Sequence, residues 1–269
     1  MPSNPSESQN RRVEPVPESY DPSEVYDPGS SARPGLALWL LIGPILSVIG
    51  LLGWLRMVSG VRYSTKIEFE GWALALDFVL LLQFVACHSL LARGWGRRFL
   101  NRPLGPDAER PLYVLATGIT LVLMTQCWVD TGPLLWRWEG WMSAIPRLIQ
   151  IPGVILAATA AYAVGAGGMI GYPHLRALEA GRHAPKQEFV ALPPYSWIRQ
   201  PLNLGVLLIL IGMPEMTLDR LLLLLGMGSW IVLVAPMEER DAELQFGEGY
   251  ARYKARTPRW FPRLSWGDR

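Results

Sequence analysis

The chain has 269 residues, of which 50% are hydrophobic and 18% are charged, and its formal net charge is +2. This composition excludes an ordinary soluble domain, because the apolar residues are gathered in blocks long enough to cross a bilayer. The small net charge gives no indication of nucleic-acid binding. The two cysteines, Cys87 and Cys127, fall in apolar blocks without metal-ligand spacing, so we interpret them as core thiols and predict no metal site.

The first 34 residues are rich in Pro, Ser and Glu and have no apolar periodicity. Such a segment cannot bury enough apolar surface to offset the entropy of ordering, so we predict a disordered tail over residues 1–34. The first apolar block begins too far from Met1 for a usual signal peptide and has the length of a span. No cleaved segment is therefore expected.

Six apolar blocks follow, and a helix needs about 20 residues to cross the hydrocarbon layer. The last two blocks are separated by a short polar segment, residues 214–216, which suits the turn of a tight helical hairpin whose first arm is short. The predicted fold class is therefore all-α: a polytopic membrane helical bundle of about six spans, with a C-terminal helical hairpin and a cytoplasmic amphipathic tail. The predicted spans are 36–58, 72–92, 111–129, 148–171, 202–213 and 218–236.

Arginine and lysine concentrate in three segments: the loop after the second span, the loop after the fourth span, and the C-terminal tail. Positively charged short loops stay in the cytoplasm. Both chain termini, and the region after the last span, are therefore predicted to be cytoplasmic.

The second span contains two ionisable residues, Asp77 and His88. Eleven residues at 100° each return almost to the same azimuth, so both share a helix face with Leu81 and Phe84, and this face is predicted to look into the bundle. An aspartate near mid-membrane costs a few kcal/mol on insertion scales, which makes it a functional candidate. The alternative is that Asp77 hydrogen-bonds a neighbouring helix and His88 lies at the water boundary.

The most informative part of the chain is its C-terminal quarter. Tyr195, Arg199 and Gln200 precede a predicted helix with Pro201 in its first turn, and the N–H groups of that turn, with Arg199, form a small anion site. The last span delivers an acidic pair, Glu238–Glu239, to the water boundary. These groups could receive a zwitterion. The alternative is a structural salt bridge between Arg199 and one of the two glutamates.

Two segments carry a family resemblance. Residues 198–205 resemble the signature R-H-P-x-Y-x-G, and residues 238–253 resemble E-E-R-x-x-x-x-x-F-G-x-x-Y-x-x-Y. Both signatures belong to the isoprenylcysteine carboxyl methyltransferase family of integral-membrane methyltransferases. Residues 86–93, 109–115 and 212–217 are similar to its bacterial NnrU-like and methanethiol S-methyltransferase branch. The resemblance covers about residues 84–262.

This resemblance implies an S-adenosylmethionine-dependent methyltransferase of a bacterial inner membrane, with a cytoplasm-facing cofactor pocket in residues 148–269 and N-terminal spans in 35–147. The implied partners are S-adenosylmethionine, membrane lipids, and a small thiol, lipid or other amphiphilic acceptor; no nucleic acid is expected. The candidate catalytic residues are Glu239, Arg199 and His88. The candidate cofactor-binding residues are Tyr195, Arg199, Gln200, Pro201, Gly205, Glu238, Glu239, Phe246, Gly247, Tyr250 and Tyr253.

The chain departs from the family signatures at three places. Gln200 stands where the family has histidine, Asn203 stands where it has tyrosine, and Val234–Ala235 occupy the place of an arginine before the acidic pair. A prenylcysteine carboxylate is therefore not the expected acceptor. Gln200 and Asn203 favour an alternative, a catalytically silent relative that binds a ligand or partner. The tail, residues 251–269, is predicted either to lie on anionic lipid or to fold over the pocket as a lid.

Overall fold

The computed structural model describes residues 33–60, 71–93, 96, 98–100, 104, 106–182, 189 and 191–262. The predicted disordered tail lies outside these residues, except for its last two positions. The described part is almost entirely helical. Its helices are α1 Pro34–Leu40, α2 Ile42–Ser59, α3 Gly71–Leu91, α4 Glu109–Gln126, α5 Ala144–Ala163, α6 Ala166–Met169, α7 Tyr172–Ala180, α8 Pro201–Ile211, α9 Leu218–Phe246 and α10 Glu248–Arg256, with 3-10 turns at Pro106–Ala108 and Gly140–Ser143.

Four helical segments are long and apolar enough to cross a membrane: Pro34–Ser59, Gly71–Leu91, Gly140–Ala163 and Leu218–Phe246. Large apolar side chains such as Leu52, Phe78, Leu148 and Leu233 are more than half exposed on the outside of the bundle, as expected of surfaces that face lipid. The chain is therefore an integral membrane protein with an all-α polytopic fold, as predicted. The full number of six spans stays a prediction, because α8 has 11 residues and α4 begins with the charged pair Glu109–Arg110.

The fourth predicted span ends earlier than expected. The prediction runs to residue 171, whereas α5 ends at Ala163. Gly165 and Gly171 have φ angles of +82° and +76°, a left-handed conformation that breaks a helix and that glycine adopts at little cost. These two glycines enclose the four-residue helix α6.

The prediction for the last span, residues 218–236, ends before the helix does. Helix α9 does not stop at Pro236 but continues for ten more residues to Phe246. A proline inside a helix removes one backbone hydrogen bond, and here the helix continues through Pro236 without interruption. Glu238 and Glu239 consequently lie on a helix and not at its end.

The segment predicted as a simple hairpin turn is a β-strand. Strand β2, Glu215–Thr217, pairs antiparallel with β1, Leu134–Arg137, in a two-stranded sheet. The buried carboxylate of Glu215 accepts hydrogen bonds from Arg137, 78 residues away in the chain, and from Arg220. The strand was not foreseen because its partner is remote in sequence, and pairing of this kind leaves no local pattern.

Glycines let two helix pairs approach closely. A Cβ built on Gly43 in α2 would lie 2.8 Å from the backbone nitrogen of Leu115 in α4. A Cβ built on Gly205 in α8 would lie 2.7 Å from the carbonyl oxygen of Gly153 in α5. Small residues at such crossings allow backbone contact, which is how membrane helices pack tightly without a hydrophobic driving force between them.

The inward-facing side of α3 is confirmed. Asp77, Leu81 and Phe84 are all buried, and the Asp77 carboxylate accepts a hydrogen bond of 2.9 Å from the backbone N–H of Val129. This bond satisfies one carboxylate oxygen, Oδ1, with a backbone group of the segment that follows α4, which ends at Gln126. Asp77 therefore has a structural partner, as the alternative interpretation predicted, but the partner lies after the neighbouring helix and not within it.

Candidate functional site

A cavity of about 360 Å³ lies where the end of α5, the loop before α8, the second half of α9 and helix α10 meet. Its volume is in the range of small-molecule sites, roughly 300–1,000 Å³. Seven of the predicted cofactor-binding residues line it: Tyr195, Arg199, Gln200, Glu238, Phe246, Tyr250 and Tyr253. The two family-like segments are therefore brought together at one site.

One wall of the cavity is aromatic. The Phe189 ring lies with its centroid 5.5 Å from Phe246, 5.6 Å from Tyr250 and 5.1 Å from Tyr253. The Tyr253 hydroxyl donates a 2.7 Å hydrogen bond to the backbone oxygen of Tyr195, which ties α10 to the loop before α8. Phe189 was missed by the sequence analysis because it belongs to neither signature.

Burial raises the pKa values of the cavity tyrosines above their ordinary range. It raises the pKa of Tyr250 to about 12, with the Glu239 carboxylate adding to the effect, and it raises the pKa of Tyr195 to about 12, with Glu238 adding to it. The pKa of Tyr253 is also raised, mainly by burial. These rings therefore present neutral π-faces to a ligand at physiological pH.

A second wall is polar and acidic. Glu238 is exposed toward the cavity, and its Oε2 accepts a 3.0 Å hydrogen bond from Asn203 Nδ2. The same Asn203 nitrogen donates to Gln200 Oε1 at 2.7 Å. Gln200 and Asn203, the two departures that lie in the first signature, thus contact each other and the first glutamate of the acidic pair.

Glu239 faces away from the cavity and is 1% exposed. Arg199 donates to its two oxygens at 3.0 and 3.1 Å, and Arg259 donates to the same two oxygens at 2.9 and 3.0 Å. The ion pair of Arg199 with Glu239 is the structural salt bridge that the alternative interpretation predicted, and Arg259 adds a second guanidinium to it. The Glu239 carboxylate raises the pKa of Arg259, chiefly through the hydrogen bonds. Of the two predictions for the tail, only the lipid-surface alternative placed Arg259 against lipid, and nothing local in the sequence indicates Glu239 as its partner.

The Arg199 guanidinium is largely engaged with the protein. Besides Glu239, it donates from Nη1 to the carbonyl oxygens of Lys254 (2.9 Å) and Thr257. These bonds use four of its five N–H groups. Because Arg199 also lines the cavity, the remaining N–H is its available donor toward a ligand.

The described part of the C-terminal tail, residues 251–262, folds over the site. The backbone N–H groups of Arg199 and Gln200 donate to the carbonyl oxygens of Pro258 (2.9 Å) and Arg259 (3.1 Å). Helix α10 supplies Tyr250 and Tyr253 to the cavity wall. For the described part of the tail, this geometry supports the lid interpretation.

Three other predicted residues do not line the cavity but lie in the helices or turns that position its walls. Pro201 is the first residue of α8, as expected from its preference for the first helical turn. Gly205 lies at the contact of α8 with α5. Gly247 has φ +58° and ψ −135°, a conformation suited to glycine, and joins α9 to α10.

His88 lies away from the cavity. Its ring accepts or donates a hydrogen bond of 3.1 Å with the Tyr113 hydroxyl and packs edge-on against Trp230, with ring centroids 5.4 Å apart. The Phe84 ring also packs against His88, with ring centroids 5.7 Å apart. The structure therefore does not bring His88 together with the other candidate residues.

A lipid-facing helical bundle with an aromatic and acidic cavity at one end defines an integral-membrane protein whose cavity has the volume of a small-molecule site. Curated relatives specify the family. The chain is 27% identical to methanethiol S-methyltransferase 2 of Bradyrhizobium diazoefficiens over 238 residues, 87% of this chain and 92% of the relative. It is 27% identical to methanethiol S-methyltransferase of Mycobacterium tuberculosis, over 71% of this chain and 79% of the relative.

A third relative, Nurim of Bos taurus, is 30% identical over 194 residues, 64% of this chain and 73% of the relative. The chain therefore belongs to the isoprenylcysteine carboxyl methyltransferase-like family of integral-membrane methyltransferases, in the branch that contains NnrU-like proteins and methanethiol S-methyltransferases. No family model matches the chain. No solved structure matches it either.

Proposed function

We propose that this protein is an S-adenosylmethionine-dependent membrane methyltransferase that acts on a small thiol. The observation that carries the proposal is the cavity at the end of α9, where Glu238 and five aromatic rings from separate segments converge. Relatives named methanethiol S-methyltransferase over most of the chain length support the reaction class and the acceptor.

The residues of the cavity fit the chemical groups of S-adenosylmethionine. Its sulfonium is a cation, and the neutral rings of Phe246, Tyr250 and Tyr253 can attract it through cation–π contact. Glu238 can accept hydrogen bonds from the amino group or the ribose hydroxyls, and the remaining N–H of Arg199 can donate to the carboxylate. A cavity of about 360 Å³ has the size of a site for a molecule of this class.

When bound, S-adenosylmethionine supplies an electrophilic methyl group to an in-line nucleophile. The protein contributes a pocket that excludes water and fixes the geometry of the two reactants. Ala163, Val164 and Leu202 also line the cavity and give it apolar surface that an apolar thiol can contact. Glu239 is engaged by two guanidinium groups and His88 lies away from the cavity, so we assign removal of the thiol proton to neither residue. The acceptor would react as the thiolate after its proton has passed to water; the new S–CH3 bond would form as the sulfonium S–CH3 bond breaks, and S-adenosylhomocysteine would leave.

The proposed orientation places the cavity and both termini on the cytoplasmic side of a bacterial inner membrane. Arg93, Arg199, Lys254 and Arg259 all lie at the cavity end of the bundle, and short basic segments stay cytoplasmic. A cytoplasmic cofactor would then enter from water and the acceptor from the membrane. Residues 148–269 would form the methyltransferase core, and residues 35–147 the N-terminal spans beside it.

Calorimetry with S-adenosylhomocysteine on detergent-purified protein tests the cofactor. We expect the wild type to bind and Glu238→Gln to bind roughly tenfold more weakly or worse, because a charge-assisted hydrogen bond is lost. Glu179→Gln is the matched control, since Glu179 is an exposed glutamate on α7 that pairs with Arg176. A wild type that does not bind would remove the proposal.

Methyl transfer is measured on the same preparations with S-adenosylmethionine and a panel of thiols that includes methanethiol, with methylated products quantified by gas chromatography. A catalytically silent relative is the second candidate, favoured by Gln200 in place of the signature histidine. Binding of S-adenosylhomocysteine without methylation of any thiol in the panel would favour that candidate.

A further inference from the structure

Asn203 lines the polar wall of the cavity and hydrogen-bonds two other residues of that wall, Gln200 and Glu238. It lies three residues after Gln200, within the first turn of α8, so both side chains project on the same side of the helix. Its single amide nitrogen donates to two acceptors: Gln200 Oε1 at 2.7 Å and Glu238 Oε2 at 3.0 Å. Asn203 therefore links the start of α8 to the acidic pair on α9.

The direction of these hydrogen bonds follows from chemistry. An ionised carboxylate only accepts hydrogen bonds, so Asn203 must turn its NH₂ group and not its carbonyl oxygen toward Glu238. Gln200 must then present its carbonyl oxygen to Asn203, which leaves its own NH₂ group to donate to the Ala235 carbonyl oxygen at 3.5 Å. The chain of donors thus runs in one consistent direction from α8 to one turn of α9, residues 235–238.

This arrangement gives the two departures from the family signature a common explanation. Gln200 and Asn203 replace a histidine and a tyrosine, and they are hydrogen-bonded to each other. Neither amide titrates, so the support of Glu238 does not change with pH through the range in which a histidine would protonate. The Asn203 bond is made to Oε2, the Gln200 amide also acts on this carboxylate, and Glu238 lines the cavity where it can accept from a ligand.

Resting on the proposed function, we infer that Asn203 is a positioning residue that holds the Glu238 carboxylate in the orientation that binds the amino or ribose groups of the adenosyl cofactor. Asn203 acts through Glu238, so removal of its amide weakens cofactor binding only while Glu238 carries its charge.

The test compares two substitutions by calorimetry with S-adenosylhomocysteine. Asn203→Ala removes the donor, and we expect affinity to fall roughly tenfold, as for loss of a hydrogen bond to a charged group. Asn203→Asp has almost the same shape but places a second carboxylate against Glu238, so we expect a larger loss than with alanine. A purely structural role of Asn203 predicts the reverse order, because aspartate preserves packing better than alanine.

A double-mutant cycle adds a second readout. In a Glu238→Gln background, we expect Asn203→Ala to cause little further loss of affinity, because the carboxylate that Asn203 orients is already absent. Gln83→Ala is the matched control: the Gln83 amide donates to the Thr120 carbonyl oxygen at 2.8 Å, between α3 and α4, and its removal should leave affinity unchanged.

The outcomes separate the inference from the proposed function. A wild type that fails to bind S-adenosylhomocysteine overturns both. A wild type that binds, with Asn203→Asp equal to or tighter than Asn203→Ala, overturns the role of Asn203 and leaves the proposed function intact. If Asn203→Ala does not fold, the comparison of Asn203→Asp with wild type decides, and unchanged affinity contradicts the inference.

Discussion

Two neighbouring glutamates on α9 have different environments. Successive residues of a helix are about 100° apart, so Glu238 and Glu239 cannot face the same surroundings. Glu238 lines the cavity, whereas Glu239 is buried under the tail between Arg199 and Arg259. An acidic pair in the sequence thus divides into Glu238, a residue that faces the cavity, and Glu239, a residue that binds the tail through Arg259.

For Glu239 we expect a large effect on stability. Glu239→Gln leaves two guanidinium groups without their common carboxylate, and breaking a buried ion pair costs about 3–5 kcal/mol of unfolding free energy. Thermal unfolding followed by tryptophan fluorescence in detergent measures this loss. Glu248→Gln is the control, because its pair with Arg252 is solvent-exposed and such pairs contribute little. Equal shifts for the two variants would contradict the structural role of Glu239.

At the scale of elements, α8 is positioned by its neighbours on two sides. Its start is bound to the tail through the backbone groups of Arg199 and Gln200, and its middle contacts α5 at Gly205. The adjoining helix α9 extends past Pro236, which carries Glu238, Ala242 and Phe246 to the cavity on a continuous helix. The shape of the cavity therefore depends on how α5, α8 and α9 pack. The positions of the second-signature residues depend on how far α9 extends past Pro236.

A change at the α5–α8 contact tests this dependence. Gly205→Ala places a Cβ 2.7 Å from the Gly153 carbonyl oxygen, so the helices must separate, and we expect a loss of roughly 1–3 kcal/mol, typical of overpacking. The measurement is the same thermal unfolding curve. Gly228→Ala in α9 is the matched control, because its nearest neighbour, Leu207 Cδ2, is 3.7 Å away, at ordinary contact distance. A Gly205→Ala protein as stable as Gly228→Ala would argue against tight helix contact.

On the scale of the whole molecule, the two ends of the bundle are chemically distinct. One end carries the cavity, the tail and the basic residues around Glu239. The other carries the two-stranded sheet, in which Glu215 is held by Arg137 and Arg220. The bundle of lipid-length helices between them separates the cavity from the sheet.

Cysteine labelling tests the proposed orientation. In a chain without Cys87 and Cys127, a cysteine at Trp141, which is 81% exposed, should react with an impermeant maleimide on intact cells. A cysteine at Arg252, on exposed α10, should react only after the cells are permeabilised. The chain without cysteines controls for background labelling. The opposite pattern would reverse the topology and place the cavity outside the cytoplasm.

The sequence predicted the membrane class, the start of most helices and the two segments that meet at the cavity. Long apolar blocks and helix-start residues such as Pro201 act locally, so they can be recognised without the fold. Local patterns failed at the end of α5, at Pro236 and at β2, where the outcome depends on glycine conformations, on resumption of a helix after proline, or on a partner strand far along the chain.

The sequence alone determined that this chain lies in a membrane and carries an acidic, tyrosine-rich segment beside an arginine, because hydrophobicity and motif spacing are properties of the chain itself. Only the tertiary structure decided which glutamate faces the cavity, that Arg259 pairs with Glu239, that Phe189 joins the aromatic wall, and that His88 lies elsewhere. The physical reason is that hydrogen bonds and ion pairs depend on distance in space. Residues brought within 3 Å by folding can be dozens of positions apart, and nothing in their local sequence records the contact.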